Sequence, residues 1–417
     1  MTLALTERER AVADGADGAA ASMAMRILAE TGRLLGAKRL IPVVSAHIDG
    51  AVYHGDSGVH FGERLREGGG KVAVPTTLNV GGLDLVNHTV RQTTHGHDMA
   101  LRLMRAYEAM GCRPTWTCAP YQAGHRPKAG EQVAWGESNA VAFCNSVLGA
   151  RTNRYGDFLD ICCAILGRAP DYGLHRAENR RATVLVDVTA LPDRLKPLDV
   201  LYPVLGYWYG QTIGNSIGVV AGLAPDMTED QLKAFGAASA SSGAVGLFHI
   251  AGVTPEAPTV EAALGNRKPE SVIRLNPADL RAIRDRLSNA TASRIDAVAL
   301  GSPHFSNEEF RQLETLLAGR RVGIPFFVCT GRDVVRKLEA EGRAATLKES
   351  GVTIVADTCV VVAPILPEKV GALMTNSGKF AHYMPSNTGY GVIYGSLEDC
   401  VESAMSGAVR RDEQVWS

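Results

Sequence analysis

The last third of the chain alternates between two kinds of segment, and that alternation limits the folds open to it more than any other feature. IDAVALGSPH (295–304), IPFFVCT (324–330), VTIVADTC (352–359) and VGALMTNSGK (370–379) are apolar runs that end in small or polar residues, as buried strands do. Between and after them lie SNEEFRQLETLLAG, opened by a Ser306/Glu309 capping box, DVVRKLEAEG, and SLEDCVESAMSG with Ser396 and Asp399 at its cap, all with helical periodicity. Strands that alternate with helices build a parallel or mostly parallel α/β sheet. Ligands of such sheets bind beyond the carboxyl ends of the strands. The residues predicted at that rim are Ser302 and His304, Cys329 and Thr330, Asp357 and Cys359, and Asn376, Ser377 and Lys379.

The earlier part follows the same logic less clearly. Residues 6–36 are Ala-rich and read as one or two helices. RLIPVVSAHIDGAVY and VAVPTTLNVGGLDLV read as buried strands whose C-terminal ends emerge into loops. A helix over Met99–Met110 stops at Gly111, residues 138–167 are mostly helical, and RATVLVDV is a strand. The layout expected is an N-terminal helical segment over 1–37, a first α/β part over 38–285, a C-terminal α/β domain over 286–407 and a polar tail over 408–417.

A 417-residue chain that is 46% hydrophobic can bury a sizeable core, and a net charge of -1 gives no bulk reason to expect nucleic acid or an acidic membrane as partner. The start MTLALTERER is too charged for a signal peptide, and no apolar run approaches the roughly 18 residues that span a bilayer, so a cytoplasmic location is expected. Of the cysteines, Cys144, Cys162, Cys163 and Cys400 fall in helical apolar patterns and read as structural thiols, with Cys112 open to the same reading.

Cys118 differs. It sits in TWTCAPYQAGHRPKAGE (115–131), a stretch too rich in Gly and Pro for a continuous helix, which also carries His125, Arg126 and Lys128. Cys118, Cys329 and Cys359 all follow a strand or sit in a loop by this reading, and three thiolates can hold an iron–sulfur cluster while leaving one iron open as a Lewis acid. His47, His95 and His304 stand beside small residues at strand ends, where a site role and a structural hydrogen bond are both open. The glycines of NVGGLD and TNSGK resemble anion cradles without matching a nucleotide-binding fingerprint, and Lys379 is placed to bind a carboxylate or phosphate.

SAHIDG, PTTLNVGGLDL, PTWTCAPYQ, VAWGESNAVAFCNSVLGARTNR, APDYGLHRAENR, GSPHFS, ADTC and MTNSGKFAHY together resemble, in this order, the large subunit of the aconitase X family, from about Leu5 to Gly407. The resemblance implies an aconitase-like α/β fold of several α/β/α layers with mostly parallel sheets, and a small swivelling domain that is either fused or a separate subunit. It implies a hydro-lyase acting on a small hydroxy acid: cis-3-hydroxy-L-proline, with mevalonate 5-phosphate as the alternative and a non-catalytic metal-binding scaffold as a third reading. The implied cofactor is an iron–sulfur cluster, 2Fe–2S or other, or mononuclear iron. Cys118 and Cys359 match the family's ligands, and Cys329 is the third candidate because Ser302 stands where some members have cysteine. His47, His95, His304 and Lys379 are the expected catalytic residues, and Ser45, Thr76, Asn79, Ser302, Asn376 and Ser377 the expected substrate-binding ones. The motifs occupy nearly the whole chain, so the swivelling domain, which supplies a serine base in the aconitase architecture, is expected from a separate subunit. No nucleic-acid or membrane partner is expected.

Overall fold

A computed structural model describes residues 3–368 and 371–416 of the chain. It divides into two compact units, Met1–Leu83 with Arg91–Arg180 and Asp84–Val90 with Arg181–Ser417, so the block expected over 38–285 is interrupted at residues 180 and 181.

The first unit contains α1 (Glu7–Ala13), α2 (Ala19–Leu34), β1 (Leu40–Pro42), β2 (Ala46–Ile48), α3 (Asp56–Glu67), β3 (Thr76–Leu78), α4 (Thr94–Ala109), β4 (Ala134–Trp135), α5 (Ser138–Ser146), α6 (Leu159–Leu166) and β5 (Arg168–Pro170). The run expected as one strand, RLIPVVSAHIDGAVY, is two. β1 pairs antiparallel with β5, whereas β2 is the middle strand of a parallel sheet ordered β3–β2–β4. Pro42 lacks an N–H to continue a ladder, and beyond it Val43 and Val44 donate to Gly167 and Gln132 respectively. The helical stretch expected over 138–167 is likewise broken into α5 and α6, with Gly149 at φ 70 between them.

The second unit opens with β6 (Val184–Asp187), α7 (Leu201–Ile213), β7 (Gly218–Ala221), α8 (Glu229–Gly243), β8 (His249–Ile250), α9 (Val260–Ala263), β9 (Ser271–Arg274) and α10 (Pro277–Leu287). Its strands form a parallel sheet ordered β8–β7–β6–β9. Then follow β10 (Ala297–Leu300), α11 (Asn307–Leu317), β11 (Phe326–Thr330), α12 (Arg332–Ala340), α13 (Arg343–Glu349), β12 (Val352–Ala356), β13 (Ala372–Thr375), α14 (Gly378–Thr388), β14 (Gly391–Tyr394) and α15 (Leu397–Ser406).

This second sheet is parallel throughout, in the order β12–β11–β10–β13–β14. Val298, Leu300, Phe326, Val328, Phe310 and Leu313 pack into its core. The mixed α/β class with mostly parallel sheets is therefore as expected. The winding reverses between β10 and β13, and the loops after those two strands flank the crevice such a reversal creates. No helix among the described residues is long and apolar enough to cross a membrane.

The residues expected as a polar tail dock instead: Glu413–Trp416 form a helical turn, Trp416 is buried, Arg281 donates to its carbonyl at 2.7 Å, and the Arg284 guanidinium lies 5.6 Å above its ring. An indole buries enough apolar area to hold a terminus down even among charged neighbours. The closest packing is between α7 and α8. A Cβ on Gly243 would lie 1.7 Å from the Gly210 carbonyl oxygen, and one on Gly206 would lie 2.3 Å from that of Phe235.

Gly243→Ala is therefore expected to destabilise the protein by at least about 1–3 kcal/mol in urea denaturation, since backbone cannot move aside as a side chain can. Gly58→Ala, where a Cβ meets nothing within 4 Å inside α3, should be neutral or gain up to about 1 kcal/mol. Equal effects from both would contradict this packing.

Candidate active site

In the first unit, register builds the site. Parallel pairing sets Thr77 of β3 and Trp135 of β4 on either side of His47 of β2, so the three side chains lie in one row across the sheet. His47 Nδ1 is 2.9 Å from the Thr77 hydroxyl, and the same hydroxyl is 2.7 Å from His125 Nδ1. His125 reaches it from the loop TWTCAPYQAGHRPKAGE: Pro120–Ala123 form a short 3-10 turn, Gly124 ends it at φ 82, and the His125 N–H donates to the Pro120 carbonyl at 3.0 Å. Both imidazoles tilt against the Trp135 ring, with centroids 5.6 and 4.9 Å away.

Within this cluster His47 Nε2, His125 Nε2, Ser45 Oγ, Asn79 Oδ1 and Trp135 Nε1 are buried without a hydrogen-bond partner among the described residues. Buried polar atoms are nearly always paired, so a concentration of unpaired ones marks a place that receives a ligand. Burial holds His47 well below the ordinary histidine value, with His125 adding to the effect, and burial with Arg113 nearby pushes His125 down to about 4. Both rings are therefore neutral at pH 7.

Cys118 lies earlier in the same loop and is buried. Its carbonyl accepts from Asn139 Nδ2 at 3.0 Å, and that amide also donates to the Tyr121 hydroxyl at 3.2 Å. Asn79 donates to Asp49, whose own N–H donates to Asp160 at 2.6 Å. Asp160 is pushed up to about 8, chiefly by burial, which leaves it mostly protonated at neutral pH. Two of the expected residues stand apart from this cluster. The Thr76 hydroxyl donates to the Val74 carbonyl at 2.8 Å. His95 is in the first turn of α4, not at a strand end, and its exposed ring lies 3.2 Å from Asp56.

In the second unit the loops after β10 and β13 come together at the sheet's reversal. Ser377, the N-cap of α14, accepts from the Phe380 N–H at 3.0 Å and donates to the Ser302 carbonyl. Asn376 and Lys379 flank it, and Ser302, Asn376, Ser377, Lys379, Asp230 and Lys233 line one cleft. His304 is buried, with Nε2 3.1 Å from the Thr358 carbonyl in the turn that leads to Cys359. Because a carbonyl only accepts, that nitrogen carries the proton. Burial, with Lys379 and Lys233 nearby, pushes His304 down to about 3.

Lys233 was not legible as a site residue. Its side chain is only 1% exposed, its ammonium lies 2.8 Å from Asp230 and 2.5 Å from Glu309, and it donates to the His304 carbonyl at 3.1 Å. Burial pulls its pKa down, but the two carboxylates outweigh that and hold it above the ordinary lysine value.

None of the eight cysteines forms a disulfide. Cys112, Cys144, Cys162, Cys163 and Cys400 are buried, and burial pushes each thiol well up, as befits structural cysteines. Cys329 is not in a loop: it is inside β11, fully buried and paired with Val355, because the strand pairing continues one residue past it, from Thr330 to Ala356. Cys359 lies in the turn after β12, beside Asp357, whose φ of 64 and two hydrogen bonds from Arg332 at 2.8 and 2.7 Å shape that turn. Cys118 belongs to the first unit and Cys329 and Cys359 to the second, and no three His, Cys, Asp or Glu side chains among the described residues form a ready metal-ion set. By donor type, thiols suit an iron–sulfur centre, so the assignment rests on their chemistry.

Thr77, His125 and Trp135 were also missed as site residues. Period-2 alternation was the available signal for Thr77: it shares a face with Asn79, and Thr76 does not.

Comparison with known proteins covers nearly the whole chain. Family models described as the first, second and third domains of aconitase X match residues 2–178, 182–285 and 295–406. The chain is 45% identical to a cis-3-hydroxy-L-proline dehydratase of Pseudomonas aeruginosa over 98% of its own length and 71% of the relative's. It is 37% identical to a phosphomevalonate dehydratase large subunit of Thermococcus kodakarensis over 96% of its own length and 99% of that protein's. A crystal structure of Thermococcus kodakaraensis aconitase X in the holo form superposes with a TM-score of 0.87 at 37% identity, covering 96% of this chain and all of that one. Three matched domains in sequence order and identity of this extent show that the chain belongs to the aconitase X family.

Proposed function

We propose that the chain is the large subunit of a hydro-lyase that converts cis-3-hydroxy-L-proline to Δ1-pyrroline-2-carboxylate, working with a separate small subunit that carries the swivelling domain. The observation that carries the substrate is the 45% identity over 98% of the chain to a dehydratase of that name, against 37% for the phosphomevalonate enzyme. Support for the partner comes from a relative's name: the match takes in 99% of a protein named as a phosphomevalonate dehydratase large subunit. Eight thiols without a disulfide suit a reducing compartment such as the cytoplasm.

The elimination needs a base for the α-proton, an acid for the departing hydroxide and positive charge at the carboxylate, where electron density collects. Lys379 and the N–H groups that open α14 behind the Ser377 cap are suited to hold that carboxylate. Asn376 and Ser302 line the same cleft and orient the ring. Neutral His47 and His125 each offer a buried Nε2 for proton transfer, and His304 is fixed as a donor to Thr358, which makes it a positioning group for the turn before Cys359. Cys118, Cys329 and Cys359 would hold an iron–sulfur cluster or iron, which supplies, when bound, a Lewis acid for the leaving hydroxide. Ser45 and Asn79 present unpaired oxygens beside His47 that suit a hydroxyl or imino N–H.

Two outcomes are expected. Purified anaerobically with its small subunit, the chain should turn over cis-3-hydroxy-L-proline with a kcat/KM at least roughly tenfold above that for mevalonate 5-phosphate, a gap of about 1.4 kcal/mol at the transition state. Without the subunit it should lose about 10²–10⁴ in rate through the missing base. The reverse preference would assign it to the phosphomevalonate reaction, and iron binding with no turnover of either substrate would make it a scaffold. In iron analysis, Cys118→Ser and Cys359→Ser should each lose metal while the fold survives, because a hydroxyl is a poor substitute for a soft thiolate donor. Cys162→Ala and Cys400→Ala should keep it, and full iron retention in Cys118→Ser would remove that residue from the ligand set.

A further inference from the structure

We propose that Thr77 locks His47 and His125 in opposite tautomers, so that the three groups form a relay accepting a proton at one Nε2 and releasing one from the other. The geometry points to this through hydrogen-bond accounting. The Thr77 hydroxyl has one proton to give, and its two neighbours, at 2.9 and 2.7 Å, are both Nδ1 atoms. If it donates to one ring, that Nδ1 is bare and the ring's proton sits on Nε2. The second ring then donates its Nδ1–H to the same oxygen, and its Nε2 is bare.

The other arrangements fail on a buried residue. Two bare Nδ1 atoms would need two hydroxyl protons where there is one. Two Nδ1–H donors would leave the hydroxyl proton without an acceptor, and Thr77 is only 4% exposed. The pair therefore presents one Nε2 that accepts and one Nε2–H that donates. Both atoms are buried and make no hydrogen bond among the described residues, so both remain available to a ligand. Burial keeps both rings neutral, which the argument needs, since an imidazolium would donate from both nitrogens.

The proton count closes. A proton arriving on the bare Nε2 lets that ring pass its Nδ1–H to the threonine oxygen, the threonine O–H passes to the other Nδ1, and the other Nε2–H leaves. No charge accumulates, and the two tautomers are exchanged until a proton passes back the other way. A dehydration takes one proton from carbon and gives one to the leaving hydroxide, so a device that moves one proton without storing it suits that chemistry. This use rests on the dehydratase reading above; the tautomer lock itself does not. Thr77 is a positioning residue, and the rings are the groups that would meet the substrate.

Neutron diffraction from crystals of the holoenzyme tests the lock directly. The expected result is deuterium on Nδ1 of one ring and on Nε2 of the other, with the Thr77 O–D directed at the ring that lacks deuterium on Nδ1. The same tautomer in both rings would overturn the proposal. In kinetics, Thr77→Val, which keeps the shape and removes the hydroxyl, should lower kcat by roughly 10²-fold with KM little changed, and Thr77→Ser should restore most of it. An unchanged kcat in a folded Thr77→Val enzyme would overturn the relay; should that variant not fold, the neutron result on the wild type still decides. Opposite tautomers in a chain that dehydrates no hydroxy acid would uphold the lock and remove the dehydratase reading.

Discussion

A lysine ammonium that is 1% exposed is the constraint around which the second unit is organised. An isolated buried charge is prohibitively costly, so Lys233 of α8 can be in place only if Asp230 and Glu309 are in place too. Glu309 belongs to the capping box that starts α11, and Ser306, the cap itself, donates to Asp230 at 2.6 Å. One cluster thus joins the helix that follows β7 to the loop that follows β10, and its hydrogen bond to the His304 carbonyl fixes the strand end where the cleft opens. Removing one carboxylate would leave the other to hold the ammonium, and removing both would strand the charge, at a cost of roughly 3–5 kcal/mol. The cleft walls, with Ser302, Ser377 and Lys379, depend on that arrangement.

The first unit reaches a comparable precision by different means. Its sheet is short, yet parallel register alone is enough to align Thr77, His47 and Trp135. A one-residue slip would turn His47 to the opposite face and replace it with Ala46 or Ile48, so the register is specified by burial on both sides. What the sheet leaves unpaired is as specific as what it pairs: ring nitrogens, an amide oxygen and a hydroxyl, all buried, whereas the buried His175 in the same unit is paired at both nitrogens, with Tyr155 and Gln132.

Much of this was legible from residues. The strand and helix alternation from 295 to 407 is present with its two caps, Ser306/Glu309 and Ser396/Asp399, because local hydrogen bonds and periodicity act over a few residues. Ser302, Asn376, Ser377 and Lys379 meet at one cleft because strand ends at a sheet reversal must. Long-range facts were not legible. Nothing in the helix of residues 229–243 announces that Lys233 is buried between carboxylates, since its partner Glu309 is 76 residues away. Cys329 lies inside β11, within the segment IPFFVCT that the alternation itself marks as a strand, so its place was legible and only the loop reading of its thiol fails, and His95 lies in a helix because Thr93 caps it. Thr77 beside Thr76 could be chosen only once the face of β3 was known.

The account places a neutral, buried histidine pair suited to proton transfer in the first unit and a cleft lined by Lys379, suited to a carboxylate, in the second. Its central claim is that the chemistry is an elimination in which no electrons are exchanged with a partner. The most direct measurement is nuclear magnetic resonance of cis-3-hydroxy-L-proline turned over by the complete enzyme in deuterium oxide. The account predicts loss of the α-hydrogen and of the hydroxyl together, and a Δ1-pyrroline-2-carboxylate that carries deuterium at C3 from tautomerisation of the enamine. A product that retains the oxygen, whether as a ketone or as an epimer of the substrate, would contradict it.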